Sequence, residues 1–160
     1  ALKSGKEPDF ENALINTRSE IDLHLTALIP EAYLVDVPLR LQFYKRIANA
    51  KTTQDLDDIQ VEMIDRFGLL PDVLKQLFAV SALKLKADSV GIAKIDATET
   101  GGRFEFSDQP NIKPETIIKL IQTKPTRYRL DGPNKIRFTL DTHAAAERVN
   151  LVEALLEELM

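Results

Sequence analysis

From Ile21 to Ala27 apolar and polar positions alternate, with Ile21, Leu23, Leu25 and Ala27 on one side and Asp22, His24 and Thr26 on the other. A period of two predicts a half-buried strand. Pro30 ends it, because proline brings no N–H to a ladder. The period then lengthens. Leu39, Phe43 and Ile47 recur every four residues and predict a helix to about Asn49, with Asp36 as N-cap and Pro38 in the first turn. Thr52 caps a second helix, Thr53 to Phe67, and Gly68 stops it. Pro71 opens a third, to about Asp88, whose wide apolar face carries Leu74, Leu77, Phe78 and Leu83. Residues 1–20 are polar, with Gly5 and Pro8, and read as a linker docked at Phe10 and Leu14.

From Ile92 the order becomes strand, turn, strand, helix, and then the same again. The first hairpin is expected as Ile92–Thr100 and Arg103–Ser107, turning at Gly101-Gly102, with Ala97 opposite Phe106 and Glu99 opposite Phe104. A helix begins near Pro114 and carries Ile117, Leu120 and Ile121. The second hairpin is Thr126–Asp131 and Lys135–Asp141, looping through Gly132, Pro133 and Asn134. Pairing Asp131 with Lys135 and Arg129 with Arg137 puts Tyr128, Leu130, Ile136, Phe138 and Leu140 together on the other face. A slip of one residue would mix the faces. Arg129 opposite Arg137 costs a little unless an acid lies near. A last helix runs from about His143 to Leu159, capped by Asp141 or Thr142, with Val149, Val152, Leu155, Leu156 and Leu159 as its stripe. The two hairpin–helix units suggest a structural duplication. The fold class is α+β, with helices on one face of a mixed or antiparallel sheet.

Composition narrows the chemistry. The 160 residues are 44% hydrophobic and 29% charged, which suits a globular domain. Lys and Arg number 21 against 25 Asp and Glu, for a net charge of -4, so the chain as a whole is a poor binder of polyanions. The absence of Cys excludes disulfides, thiolate metal sites and thiol catalysis, and it suits a reducing, cytoplasmic compartment. No apolar run is long enough to span a membrane. Neither a phosphate loop, a dinucleotide fingerprint nor a nucleophile elbow is present. His24 and His143 lie far apart, each without a second His at helical spacing, so no metal ligand set is assigned. A binding or regulatory module fits better than an enzyme, and no cofactor is expected. A hydrolase built on unassigned carboxylates is the least supported alternative.

Two charged features stand out. On the helix Thr53–Phe67, at roughly 100° per residue, Asp55, Asp58, Glu62 and Asp65 fall within about 80° of one another. Leu56, Ile59, Met63 and Phe67 occupy a separate sector, and Arg66 lies at the margin of the acidic one. An ordinary solvated face would explain this, yet like charges three and four apart repel. Glu62 and Asp65 also oppose the helix dipole. Such a stripe suits a basic partner. The second feature is basic: Lys113, Lys119, Lys124, Arg127, Arg129, Lys135 and Arg137 stand against only Glu115 and Asp131. Arg127, Arg129, Lys135 and Arg137 share one hairpin face in the expected register. A solvated sheet face explains them, and nucleic-acid contact is the alternative, weakened by the lack of exposed aromatics there. Tyr33 reads as an anchor for its Pro-bounded connection.

The stretch from Glu20 to Asp72 carries a resemblance. It includes Ile29-Pro30, Tyr33, Asp36, Arg40-Leu41, Tyr44-Lys45-Arg46 and Asp65-Arg66-Phe67-Gly68 with Pro71. These residues resemble the C-terminal domain of the bacterial transcription-repair coupling factor (Mfd) family, and the likeness extends more loosely to Met160. Pro38 departs from the pattern, where a small polar residue is expected. The resemblance implies a domain spanning residues 21–160 of a DNA-repair translocase driven by ATP, without the motor motifs and so without ATPase activity. It implies that this domain packs on the N-terminal module that binds the excision-repair protein UvrA. There it masks that module and restrains the motor until RNA polymerase is engaged. UvrA-binding surfaces in the family are basic, so Asp55, Asp58, Glu62 and Asp65 are the residues assigned to the partner. The alternative is an accessory nucleic-acid contact through Arg127, Arg129, Lys135 and Arg137. No membrane partner is expected.

Overall fold

A computed structural model describes residues 19–108, 110–141 and 145–160. The expected linker therefore lies outside the described residues up to position 18, with Phe10 and Leu14, as do Thr142 and His143. Among the described residues, five helices and a five-stranded mixed sheet make an α+β fold. The chain divides into two compact units, one from Thr26 to Leu85 and one combining the segment through Leu25 with Lys86–Met160.

The first unit is helical. Helix α1 (Val37–Asn49) starts at Asp36, whose Oδ2 accepts the Leu39 N–H at 3.3 Å, and Pro38 occupies the first turn. Helix α2 (Thr53–Phe67) starts at Thr52, whose hydroxyl accepts the Asp55 N–H at 3.1 Å. It ends at Gly68, where φ is 98° and the N–H bonds the Ile64 carbonyl. Helix α3 (Asp72–Val90) follows Pro71, whose carbonyl accepts from Lys75. Phe43, Tyr44, Ile47, Leu56, Ile59, Met63, Leu74, Leu77 and Phe78 pack into one core with Ile29 and Leu34. Each such side chain contributes about 1.5–3 kcal/mol on burial. Tyr33 anchors its connection: the hydroxyl donates to the carbonyls of Met63 at 3.1 Å and Gly68 at 2.7 Å, and its ring meets Phe67 edge-on.

The second unit holds the sheet, in the order β1 (Glu20–Asp22), β2 (Ile92–Ala97), β3 (Gly101–Phe106), β5 (Lys135–Thr139), β4 (Tyr128–Leu130). Strand β1 (Glu20–Asp22) runs parallel to β2 (Ile92–Ala97), and the other pairings are antiparallel. β1 is shorter than the alternation predicts. At His24 φ is 53°, and Asp22 Oδ1 accepts the His24 N–H at 3.0 Å, so the chain turns where the strand was expected to continue. The buried Arg148 guanidinium holds that turn by donating to the carbonyls of Leu23 and His24. Alternate burial persists to Ile29 without a ladder.

The first hairpin corrects the expected register by four residues. Strand β3 is Gly101–Phe106, and Ala97 faces Gly102 while Ile95 faces Phe104. The turn is made by Thr98–Thr100, with the Thr98 N–H bonded to the Gly101 carbonyl at 2.7 Å. Gly101 and Gly102 serve close approach instead of a turn. A Cβ on Gly102 would lie 1.9 Å from the Asp96 carbonyl oxygen, and one on Gly101 2.4 Å from that of Phe138. The shift is even, so Phe104 and Phe106 keep their core side.

Helix α4 (Pro114–Thr123) then leads to the second hairpin, β4 (Tyr128–Leu130) and β5 (Lys135–Thr139). Its register is the expected one, with Arg129 opposite Arg137 and Leu130 opposite Ile136. Leu130 departs from expectation: on this short edge strand it is 58% exposed, although Tyr128, Ile136 and Phe138 are buried. Helix α5 (Ala145–Leu159) closes the unit, burying Val149, Val152, Leu155, Leu156 and Leu159. Its Glu158 receives the Tyr128 hydroxyl and the Lys124 ammonium.

Candidate interaction surface

Helix α2 presents the acidic face. Its core side carries Leu56, Ile59 and Met63, and the amphipathic period forces Asp55, Asp58, Glu62 and Asp65 outward. Their environments differ. Asp55 accepts the Lys51 N–H at 3.0 Å, and Asp58 accepts the Gln54 side-chain amide at 2.9 Å. Both line an open groove of about 620 Å³ between α1 and α2, with Gln42, Lys45 and Arg46 on its α1 side. Asp65 is exposed, and among the described residues no hydrogen bond or ion pair engages it.

Glu62 is not unpaired. Arg46 of α1 grips it with two bonds, 3.0 Å to Oε2 and 2.8 Å to Oε1, and Arg66 adds a third at 3.1 Å. The Arg46 bonds first, and then Arg66, hold the Glu62 carboxyl below the usual carboxylate range. Both guanidiniums also lie over the Phe43 ring, at 5.0 and 5.6 Å. Helical spacing on α2 alone hides this brace, because Arg46 comes from another helix.

The exposed apolar residues beside the stripe were not singled out from the sequence. Val61 is 58% exposed, Ile64 38% and Leu69 86%. Val61 and Ile64 lie on one side of Asp65 on the helix, and Leu69 follows the left-handed Gly68. A helical projection of α2 carries the first two; the loop conformation that exposes Leu69 does not follow from periodicity.

The basic residues separate. Arg129 and Arg137 face each other on the open side of the sheet, and Lys135 neighbours Glu105. Arg127 precedes β4 and lines a groove of about 660 Å³ with Glu157 and Glu158. Its place beside Arg137 is taken by Arg103 of β3, a residue the hairpin pattern did not point to. Asp131 is the nearby acid: its Oδ2 accepts from Arg103 at 3.2 Å and from Arg137 at 3.5 Å. His24 Nε2 lies 2.9 Å from Asp96 Oδ1, on the acidic side of the same face. His143 lies outside the described residues. Among the described residues no three His, Cys, Asp or Glu side chains converge on a possible metal position. None of their helices is long and apolar enough to cross a membrane.

Charged and apolar groups thus share the surface of a domain of the α+β class. Residues 23–117 match the TRCF domain, and the chain belongs to that family. It is 42% identical over 159 residues to the transcription-repair-coupling factor of Escherichia coli (strain K12), and 43% identical over 159 residues to that of Haemophilus influenzae. In each case 99% of this chain is covered, and it spans 14% of the relative's length. A crystal structure of the C-terminal domain of a transcription-repair coupling factor shares the fold. The TM-score is 0.75 at 20% identity, covering 89% of this chain and 91% of that one. The chain therefore has the fold of a C-terminal domain of such a factor, and not of an ATPase core.

Proposed function

We propose that this chain is the non-catalytic regulatory domain of a transcription-repair coupling factor. It packs against the N-terminal UvrA-binding module of the same polypeptide, masks that module, and restrains the ATP-driven motor until RNA polymerase is engaged. The observation that carries the reading is the outer face of α2. There Asp58 and Asp65 stand exposed without an ion pair among the described residues, beside the exposed Val61 and Ile64. An apolar margin with acidic neighbours fits a partner that is basic around an apolar centre. Glu62 has a different part: its bonds to Arg46 and Arg66 brace α1 against α2 and leave Asp55, Asp58 and Asp65 for the partner.

The magnitude suits a releasable lock. Three exposed ion pairs at about 0.5–1 kcal/mol each favour the closed state by about 10- to 150-fold. A competing partner can overcome that. Calorimetric titration of the chain into the separate N-terminal module tests the reading. The double variant Asp58→Lys/Asp65→Lys is expected to weaken binding at least about tenfold. Undiminished affinity would remove this interface, and silence from the unaltered chain would remove the regulatory reading.

A further inference from the structure

We propose that the open face of the sheet in the second unit binds the phosphate backbone of nucleic acid through Arg103, Arg137 and Arg129. Two rows of side chains cross that face. One reads Glu20, Lys94, Glu105, Lys135 in paired positions, with Asp131 beyond, bonded through its N–H to the Lys135 carbonyl. Its charges alternate in sign, the low-energy arrangement for directly opposed residues. The other row reads Asp22, Asp96, Arg103, Arg137, Arg129. It collects like charges at both ends and repels itself twice among the arginines. A face selected for solubility alone would resemble the first row.

The acids near the arginines do not neutralise them: Asp96, opposite Arg103, bonds His24 at 2.9 Å. Asp131 serves Arg103 and Arg137, whose side chains remain 47% and 59% exposed. Arg129 is exposed and has no ion pair among the described residues. Adjacent strands lie about 4.8 Å apart, so the three arginines span about 10 Å. Duplex DNA carries one charge per about 1.7 Å of axis, so anions are not limiting along that span. Guanidinium forks match phosphate oxygens. The row's aromatic neighbours, Phe104, Tyr128 and Phe138, are all buried on the opposite face. The surface therefore contacts the backbone without stacking bases, and it reads no sequence. The net charge of -4 does not oppose this at moderate salt, because charges beyond about 10 Å are screened at 0.1 M. Asp22 and Asp96, at the far end, confine the anion to β3, β5 and β4.

The test is fluorescence anisotropy of the 160-residue chain with a labelled DNA duplex of mixed sequence. Three phosphate contacts predict a log–log salt slope near about -2.7, an affinity loss of about 20-fold between 50 and 150 mM salt. Arg129→Ala and Arg103→Ala are each expected to flatten that slope by about 0.9. Asp131→Asn is expected to tighten binding about threefold, a direction that misfolding does not produce. The proposal is overturned by no binding at low salt, by a slope indifferent to the arginines, or by binding to an acidic protein in preference to duplex.

Discussion

Gly102 carries a demanding prediction. A methyl group there would sit 1.9 Å from the Asp96 carbonyl oxygen and 2.6 Å from the Ala97 Cα, both backbone atoms of the paired strand. No side-chain rotation relieves that contact, so β2 and β3 must part by more than an ångström. Strand β3 is held on its other side by β5, where Gly102 faces Phe138, so the displacement cannot be passed on freely. Loss of about two ladder bonds at about 1 kcal/mol each, plus about 1–3 kcal/mol for the disturbed packing of Ile95, Phe104 and Phe138, gives about 3–5 kcal/mol for Gly102→Ala. In a chain of this size each kcal/mol lowers the midpoint by about 2–4 °C, so a fall of about 6–20 °C is expected. Thermal unfolding followed by circular dichroism measures it. Amide exchange should show the loss centred on β2 and β3. A change below about 1 kcal/mol would refute the close approach of the two backbones.

Tyr33→Phe removes the hydroxyl that joins the Met63 and Gly68 carbonyls at the end of α2, and a stability loss of about 1–2 kcal/mol is expected in urea titrations. An unchanged midpoint would show that water replaces both bonds. Glu62 titrates below its ordinary value of 4.5, so its bonds to Arg46 and Arg66 contribute fully above about that pH and are lost as pH falls through the lower folded value. The stability gap between the unaltered chain and Glu62→Gln should therefore be present near neutrality and shrink as the solution is acidified below the ordinary carboxylate range. A gap independent of pH would refute the pairing.

What the residue pattern conveyed depended on how local the physics was. The caps at Asp36 and Thr52, the stop at Gly68 and the register of the second hairpin rest on neighbours in sequence, and all were legible. In that hairpin the arginine and apolar positions agree on a single alignment. The first hairpin misled because Gly-Gly suits a two-residue turn, whereas here the missing side chains are needed by strands on both sides of β3. That demand is tertiary. The same holds for the sites. The acidic stripe followed from helical spacing, but Arg46, on another helix, decides that Glu62 is a brace. Arg103 belongs to a different hairpin from Arg137, and only the sheet order sets the two side by side. Leu130 failed for a similar reason, since alternation does not tell an edge strand from a central one.

The parallel pairing of β1 with β2 has a consequence for synthesis. Glu20 and Ile21 leave the ribosome long before Lys94 and Ile95, and Thr26–Leu85 of the helical unit are made in the interval. The segment Thr26–Leu85 is continuous in the nascent chain and can settle early, while the first strand must wait unpaired for its edge position. Any recombinant boundary placed after Asp22 would deprive the sheet of that strand without touching a residue of the helical core.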